Sequence, residues 1–206
     1  MENTLPYLYL ALLWIAYFGL HSLLAARSVK SFLKDRLGLS SRAYRLFYVI
    51  FALLSLLPVL YYNALVSRNS WLPDDWKQLF TIIGLVLTTY GIIIMRLAFR
   101  QYSLKKFLGL EKGADDADEP FSSEGILSIV RHPLYSGTVL IVIGYCLFAP
   151  TYANLVTGLM IILYILVGIQ LEEKKLIGQY GEQYEQYKEE VPMLIPRPGS
   201  LKRLNK

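Results

Sequence analysis

"VRHPLYSGTVLIVIGYCLFAPTYANLVTGLMIILYILVGIQLEE" (Val130–Glu173) runs from an arginine to a pair of glutamates, and the 40 residues between Arg131 and Glu172 carry no formal charge. As one helix they would extend about 60 Å, twice the roughly 30 Å hydrocarbon core of a bilayer. The segment therefore folds back, and "APTYAN" (Ala149–Asn154), with Pro150 and Asn154, supplies the bend. Further charge-free blocks lie between Glu2 and Arg27, Arg45 and Arg68, and Lys77 and Arg96. The pattern predicts an all-α, polytopic membrane helix bundle with about five transmembrane helices. Their expected bounds are Leu5–Ala26, Ala43–Ser67, Gln78–Ala98, Pro133–Phe148 and Leu155–Glu173.

The chain has 206 residues, 54% of them hydrophobic, and a net charge of +5. That basicity does not imply nucleic acid, because the cations are segregated. Six Lys or Arg fall in Arg27–Arg45, six in Arg96–Arg131 and seven in Lys174–Lys206, leaving only Arg68 and Lys77 elsewhere. With five spans those three clusters share one side. The positive-inside rule then puts the N-terminus outside and the C-terminus in the cytoplasm. The first span does not read as a signal peptide, since Glu2 stands where a cationic region belongs. Arg27–Arg42 is basic and amphipathic, an expected interfacial helix, and Trp71 and Trp76 anchor an outer loop. The acidic stretch Gly109–Gly125 reads as a solvated connector, or as a flap over a cytoplasmic site. Gly84 and Gly91, like Gly137 and Gly144, recur seven apart, as close helix packing demands. Cys146, the single cysteine, reads as packing.

Chemistry concentrates at the two ends of the charge-free segment. His132 precedes Pro133, which suits the first turn of a helix. The amides of Leu134, Tyr135 and Ser136 would then stand unpaired at an electropositive end, with Arg131 and His132 beside it and Gly137 allowing close approach. At the other end, Glu172 and Glu173 point about 100° apart on a helix, so they cannot serve one atom together. One would face a bound cation, and the other would pair with an arginine such as Arg131 or Arg197. Beyond them Leu176 or Ile177, Tyr180, Tyr184, Tyr187 and Val191 recur at helical spacing. They make a cytoplasmic amphipathic helix with an aromatic stripe, continuous with the last span and stopped by Pro192. A folded-back pair brings both ends to one depth. A ligand suited to that pocket carries a carboxylate, a positive centre and a flat apolar surface. S-adenosylmethionine has these parts, though composition alone does not single it out. Two histidines on separate spans do not make a metal site.

"RHPLYSG", then "EEKKLIGQYGEQYEQYKEEVPMLIP" some 34 residues on, resembles the isoprenylcysteine carboxyl methyltransferase and phospholipid methyltransferase family of integral membrane enzymes. The likeness covers roughly Ser123–Pro196. "GLHSLLAARSVK" with "YRLFYVIF" looks like the bacterial branch that includes NnrU-like proteins and methanethiol S-methyltransferases. The resemblance implies a three-span N-terminal region (1–100) and a methyltransferase-like region (101–206) of loop, hairpin and amphipathic helix. It further implies an S-adenosylmethionine pocket containing Arg131, His132, Tyr135, Gly137, Glu172 and Glu173, with Gly125 on the approach loop. Tyr184, Tyr187 and Pro192 would close it, and Arg131, His132 and Glu172 would carry catalysis. The acceptor, lipid-like or small and apolar, enters from the bilayer, the cofactor from the cytosol.

Methyl transfer from a sulfonium removes charge, so positioning and exclusion of water carry it. A carboxylate acceptor needs no base and would be oriented by Arg131. A thiol or amine acceptor needs a base, for which His132, His21 or a glutamate is a candidate. His21 otherwise reads as a satisfied interhelical polar residue. The rival readings are a sterol-reductase-like enzyme using NADPH, whose acidic-plus-arginine signature is absent from "LEEKKL", and a non-enzymatic relative of the fold.

Overall fold

The computed structural model describes residues 4–100 and 121–198. Most of the acidic stretch Gly109–Gly125 lies outside them. Among the described residues the structure is all-α. It has α1 (Leu5–Ala25), α2 (Arg27–Leu37), α3 (Ser41–Val66), α4 (Asp74–Ala98), α5 (Pro133–Phe148), α6 (Tyr152–Tyr180) and α7 (Glu182–Glu190), with a 3₁₀ turn at Gly125–Ser128. Helices α1, α3, α4 and α6 are long and apolar enough to cross a bilayer, making this an integral membrane protein. The expected fourth span, α5, is apolar but has only 16 residues, about 24 Å of helix.

The described chain forms two compact units. The first comprises α1 to α3 and the start of α6. Here the bend falls between Phe148 and Tyr152, where Trp71 donates its backbone amide to the Pro150 carbonyl (3.0 Å) and Tyr152 to that of Asn69 (3.2 Å). Thr151 Oγ1 caps α6 by accepting from the Asn154 amide (3.2 Å). Buried polar side chains tie the helices together. Trp14 Nε1 donates to Thr157 Oγ1 (2.9 Å), Thr157 to Asn63 Oδ1 (2.7 Å), and Asn63 Nδ2 to Asn154 Oδ1 (2.9 Å). Such bonds are how helices adhere where water-driven burial is absent, at about 0.6–2 kcal/mol each.

The second unit contains α4, α5, the rest of α6 and α7. Sequence order groups α4 with the N-terminal region, but its packing groups it with α5, through the glycines spaced seven apart. A Cβ on Gly91 would lie 2.7 Å from the Gly137 carbonyl oxygen, and one on Gly84 2.5 Å from that of Gly144. The two backbones touch there, which explains the glycines without a ligand.

The expected continuous amphipathic helix is broken. Helix α6 ends at Tyr180 and α7 starts at Glu182, hinged on Gly181 at φ 57°, ψ −134°. Side chains with a Cβ avoid that backbone region, so the glycine permits the break. Redirected by it, α7 turns Tyr184 and Tyr187 into a buried cluster with Val191, Phe121, Leu176 and Ile177.

Candidate active site

The start of α5 is held from three directions. Pro133 opens the helix, and the Ser136 amide bonds the His132 carbonyl at 2.9 Å, so it is not one of the unpaired amides expected. The extended segment after α7 lies alongside. Arg131 donates its amide to Pro192 (2.9 Å), His132 to Met193 (3.1 Å), and Ser136 Oγ to the Leu194 carbonyl (2.8 Å).

The Arg131 guanidinium is the hub. Nε and Nη2 reach Glu173 Oε1 at 2.8 and 2.7 Å, and Nη1 donates to the carbonyls of Lys188 (3.0 Å) and Val191. Those carbonyls end α7, where a cation opposes the helix dipole. Side chains of Arg131 and Glu173 are 9% and 10% exposed, so the pair is desolvated and only close geometry makes it tolerable. Glu173 is fully engaged, its Oε1 also 3.2 Å from His132 Nε2 and its Oε2 3.0 Å from Lys188 Nζ. A carboxylate receiving two guanidinium bonds is ionised and only accepts. Nε2 of His132 therefore carries a proton and donates, and in the neutral form of the ring Nδ1 is then an acceptor. That atom lies 3.8 Å from Oε2 of Glu172, whose side chain is 44% exposed. Of the two glutamates, Glu173 braces the arginine and Glu172 keeps open capacity.

The other expected residues fall as follows. Tyr135 is half-buried, its ring centroid 5.7 Å from that of His132. Gly125 is exposed at φ 57° and starts the 3₁₀ turn. Gly137, expected to pack a helix by its spacing from Gly144 and to line the cofactor pocket by resemblance, faces α4. A Cβ there would lie 2.6 Å from Met95 Cγ and 2.8 Å from the Gly91 oxygen, so its smallness serves helix packing. Tyr184 and Tyr187 were expected to close a pocket. Instead Tyr187 donates to the Leu127 carbonyl (2.7 Å), and both rings pack on Phe121, with centroids 6.0 and 5.2 Å away. They support the site from behind. Burial pushes the Tyr184 hydroxyl well above the usual tyrosine range, and the Glu173 carboxylate adds to it, so the phenol stays protonated. Arg197 donates to the Glu189 carbonyl (3.4 Å), not to either expected glutamate. In the first unit, His21 Nε2 lies 2.7 Å from the Tyr48 hydroxyl, the interhelical bond of the plainer reading.

Sequence reasoning missed Lys188. Its signal was present, since Lys188 follows Tyr184 by four residues and so shares the inward face of α7. It lies between buried Glu173 and an open groove lined by Ile177, Glu185, Lys188 and Glu189.

Residues 9–197 match the family model described as NnrU protein. The chain belongs to the NnrU family. Among proteins similar to this NnrU-family chain is the methanethiol S-methyltransferase of Pseudomonas deceptionensis, 33% identical over 146 residues, 63% of this chain and 55% of that one. Methanethiol S-methyltransferase 1 of Bradyrhizobium diazoefficiens is 31% identical over 191 residues, 90% of this chain and 65% of that one. The protein-S-isoprenylcysteine O-methyltransferase of Schizosaccharomyces pombe is 31% identical over 80 residues, 38% of this chain and 34% of that one. The NnrU-family chain thus spans less than two thirds of the length of these bacterial relatives. No solved structure matches it.

Proposed function

We propose that this chain is an S-adenosylmethionine-dependent membrane methyltransferase whose acceptor loses a proton on methylation, a small thiol above all. The observation that carries the choice of acceptor is the state of Arg131. All three guanidinium nitrogens are engaged with Glu173 and the carbonyls of Lys188 and Val191, so Arg131 is not offered to an acceptor carboxylate. What the cluster leaves over is the partly exposed Glu172 carboxylate and, 3.8 Å from it, Nδ1 of the buried His132, a negative group and a proton acceptor. That pair suits a neutral acceptor with a proton to give and disfavours an anionic one. The names of the bacterial relatives agree with a thiol, and the yeast relative keeps a prenylcysteine-like acceptor as the second reading.

The donor set also fits the cofactor. The partly exposed Glu172 carboxylate and the Tyr135 ring suit a sulfonium or ammonium, by charge and by the negative face of the aromatic. When bound, S-adenosylmethionine supplies an electrophilic methyl group. The chain's own residues do the rest. Arg131 and Glu173 fix the imidazole, Glu173 accepts from Nε2, and Nδ1 takes the acceptor's S–H proton as the sulfur gains the methyl group. Glu172 balances positive charge beside the reacting atoms, and the burial of His132 limits water there. The cation clusters support a cytoplasmic cofactor entrance at a bacterial inner membrane.

The test is methyl transfer by purified protein in nanodiscs, with radiolabelled cofactor and three acceptors: an alkyl thiol, a prenylcysteine with a free carboxylate, and phosphatidylethanolamine. Label in the thiol, lost in His132→Ala, is the expected result. Transfer to the carboxylate alone would reverse the choice of acceptor. Saturable binding of NADPH with none of S-adenosylhomocysteine would replace the methyltransferase by the reductase.

A further inference from the structure

We infer that Lys188 is a positioning residue whose charge keeps His132 free to take a proton, an inference that rests on the methyltransferase reading. Among the described residues, charged and titratable groups surround the imidazole from three elements. Arg131 precedes it, Glu172 and Glu173 face it from α6, and Tyr135 follows on α5. From α7, Lys188 reaches Glu173 Oε2 at 3.0 Å, and the Tyr184 phenol stays neutral beside Arg131. With a neutral ring the cluster balances, two carboxylates against one guanidinium and one ammonium.

Glu173 divides its two oxygens. Oε1 receives Arg131 and His132, while Oε2 receives Lys188. Removing the ammonium leaves one net negative charge on a carboxylate only 10% exposed, with an oxygen that has lost its donor. The nearest group able to restore neutrality is His132, by taking a second proton on Nδ1, and a doubly protonated ring cannot accept the acceptor's proton. Lys188 therefore acts through Glu173 on the proton occupancy of His132 without touching substrate or cofactor. Next to the open groove, with its side chain 34% exposed, Lys188 meets water while it serves a buried oxygen.

In Lys188→Met the acid limb of the kcat/KM–pH profile should move to higher pH by about one unit, with the alkaline plateau within a few-fold of the starting protein. Lys188→Arg should restore the original limb, and Lys188→Gln should repeat the Met result if the Met variant folds poorly. An unmoved limb, a loss equal at every pH, or an Arg variant no better than Met would overturn the inference. A second readout needs no turnover. The chain has two histidines, so His21→Asn assigns the ring signals, and nitrogen-15 NMR titration follows His132 directly. The His132 signal should titrate at higher pH in Lys188→Met than with Lys188 in place. If it does while no acceptor is methylated, the Lys188 role stands and the methyltransferase reading falls. If it does not move, the Lys188 role falls whatever the activity.

Discussion

Glu172 and Glu173 are neighbours with opposite tasks, because a helix turns adjacent side chains about 100° apart. Glu173 takes Arg131, His132 and Lys188 in a site from which water is largely excluded, whereas Glu172 is 44% exposed and lies 3.8 Å from His132. Losing one partner of a buried ionic cluster costs about 3–5 kcal/mol, because the remaining charges are stranded. Glu173→Gln should therefore lower stability by that order, seen as earlier chemical unfolding in detergent. Glu172→Gln should leave unfolding nearly unchanged and weaken S-adenosylhomocysteine binding about tenfold or more in calorimetry. If both variants unfold alike, the division of labour is wrong. The sequence made these residues legible because charge at the edges of an uncharged segment has few uses. It left the Val191–Leu194 carbonyls hidden, since nothing local marks which backbone groups Arg131, His132 and Ser136 approach, and the one mark of Lys188, its spacing from Tyr184, shows only once α7 is known to face inward. Gly137 carried two readings, helix packing and close approach of a ligand, for a related reason: a missing Cβ is the same signal whether backbone or ligand fills the space.

Periodicity found the helices, because long apolar runs in a membrane chain have one solution, every backbone group bonded within the helix. It ran Tyr180 into Glu182 because the stripe of apolar residues continues across Gly181, and a period does not report φ. That junction is testable by a pair of glycines. Neither Gly178 nor Gly181 has any heavy atom within 4 Å of an added Cβ, so substitutions there read backbone preference without a clash. Gly178 lies inside α6, and Gly178→Ala should stabilise by about 0.5–1 kcal/mol. Gly181 sits at φ 57°, and Gly181→Ala should destabilise by about 1–3 kcal/mol. It should also release the Arg131–Val191 contact, visible as faster amide exchange in Glu182–Glu190. Stabilisation by both variants would mean that α6 and α7 form one helix after all.

At the scale of the molecule, charge decides which way the chain faces, and the Arg131–Glu173 pair decides how its ends are arranged. Helix α5 covers about 24 Å, and the stretch from Tyr152 to Glu173 about 33 Å. The 2.7 Å contact nevertheless fixes the start of one and the far end of the other at a common depth, so the shorter arm does not undo the folded-back reading. Under the positive-inside rule the three cation clusters are expected to share a side, because transfer of so many Lys and Arg across an energised membrane is disfavoured. Cysteine labelling reads this directly, since Cys146 is the single native thiol and Cys146→Ala supplies a blank background. Ser31, Asp75 and Glu189 are exposed positions on α2, on the first turn of α4 and on α7. In intact spheroplasts a membrane-impermeant maleimide should modify Asp75→Cys alone, and in inverted vesicles Ser31→Cys and Glu189→Cys but not Asp75→Cys. Modification of Glu189→Cys from outside would put α7, and with it the Arg131–Glu173 cluster, on the side where no S-adenosylmethionine is made, and the proposed enzyme would have no cofactor to use.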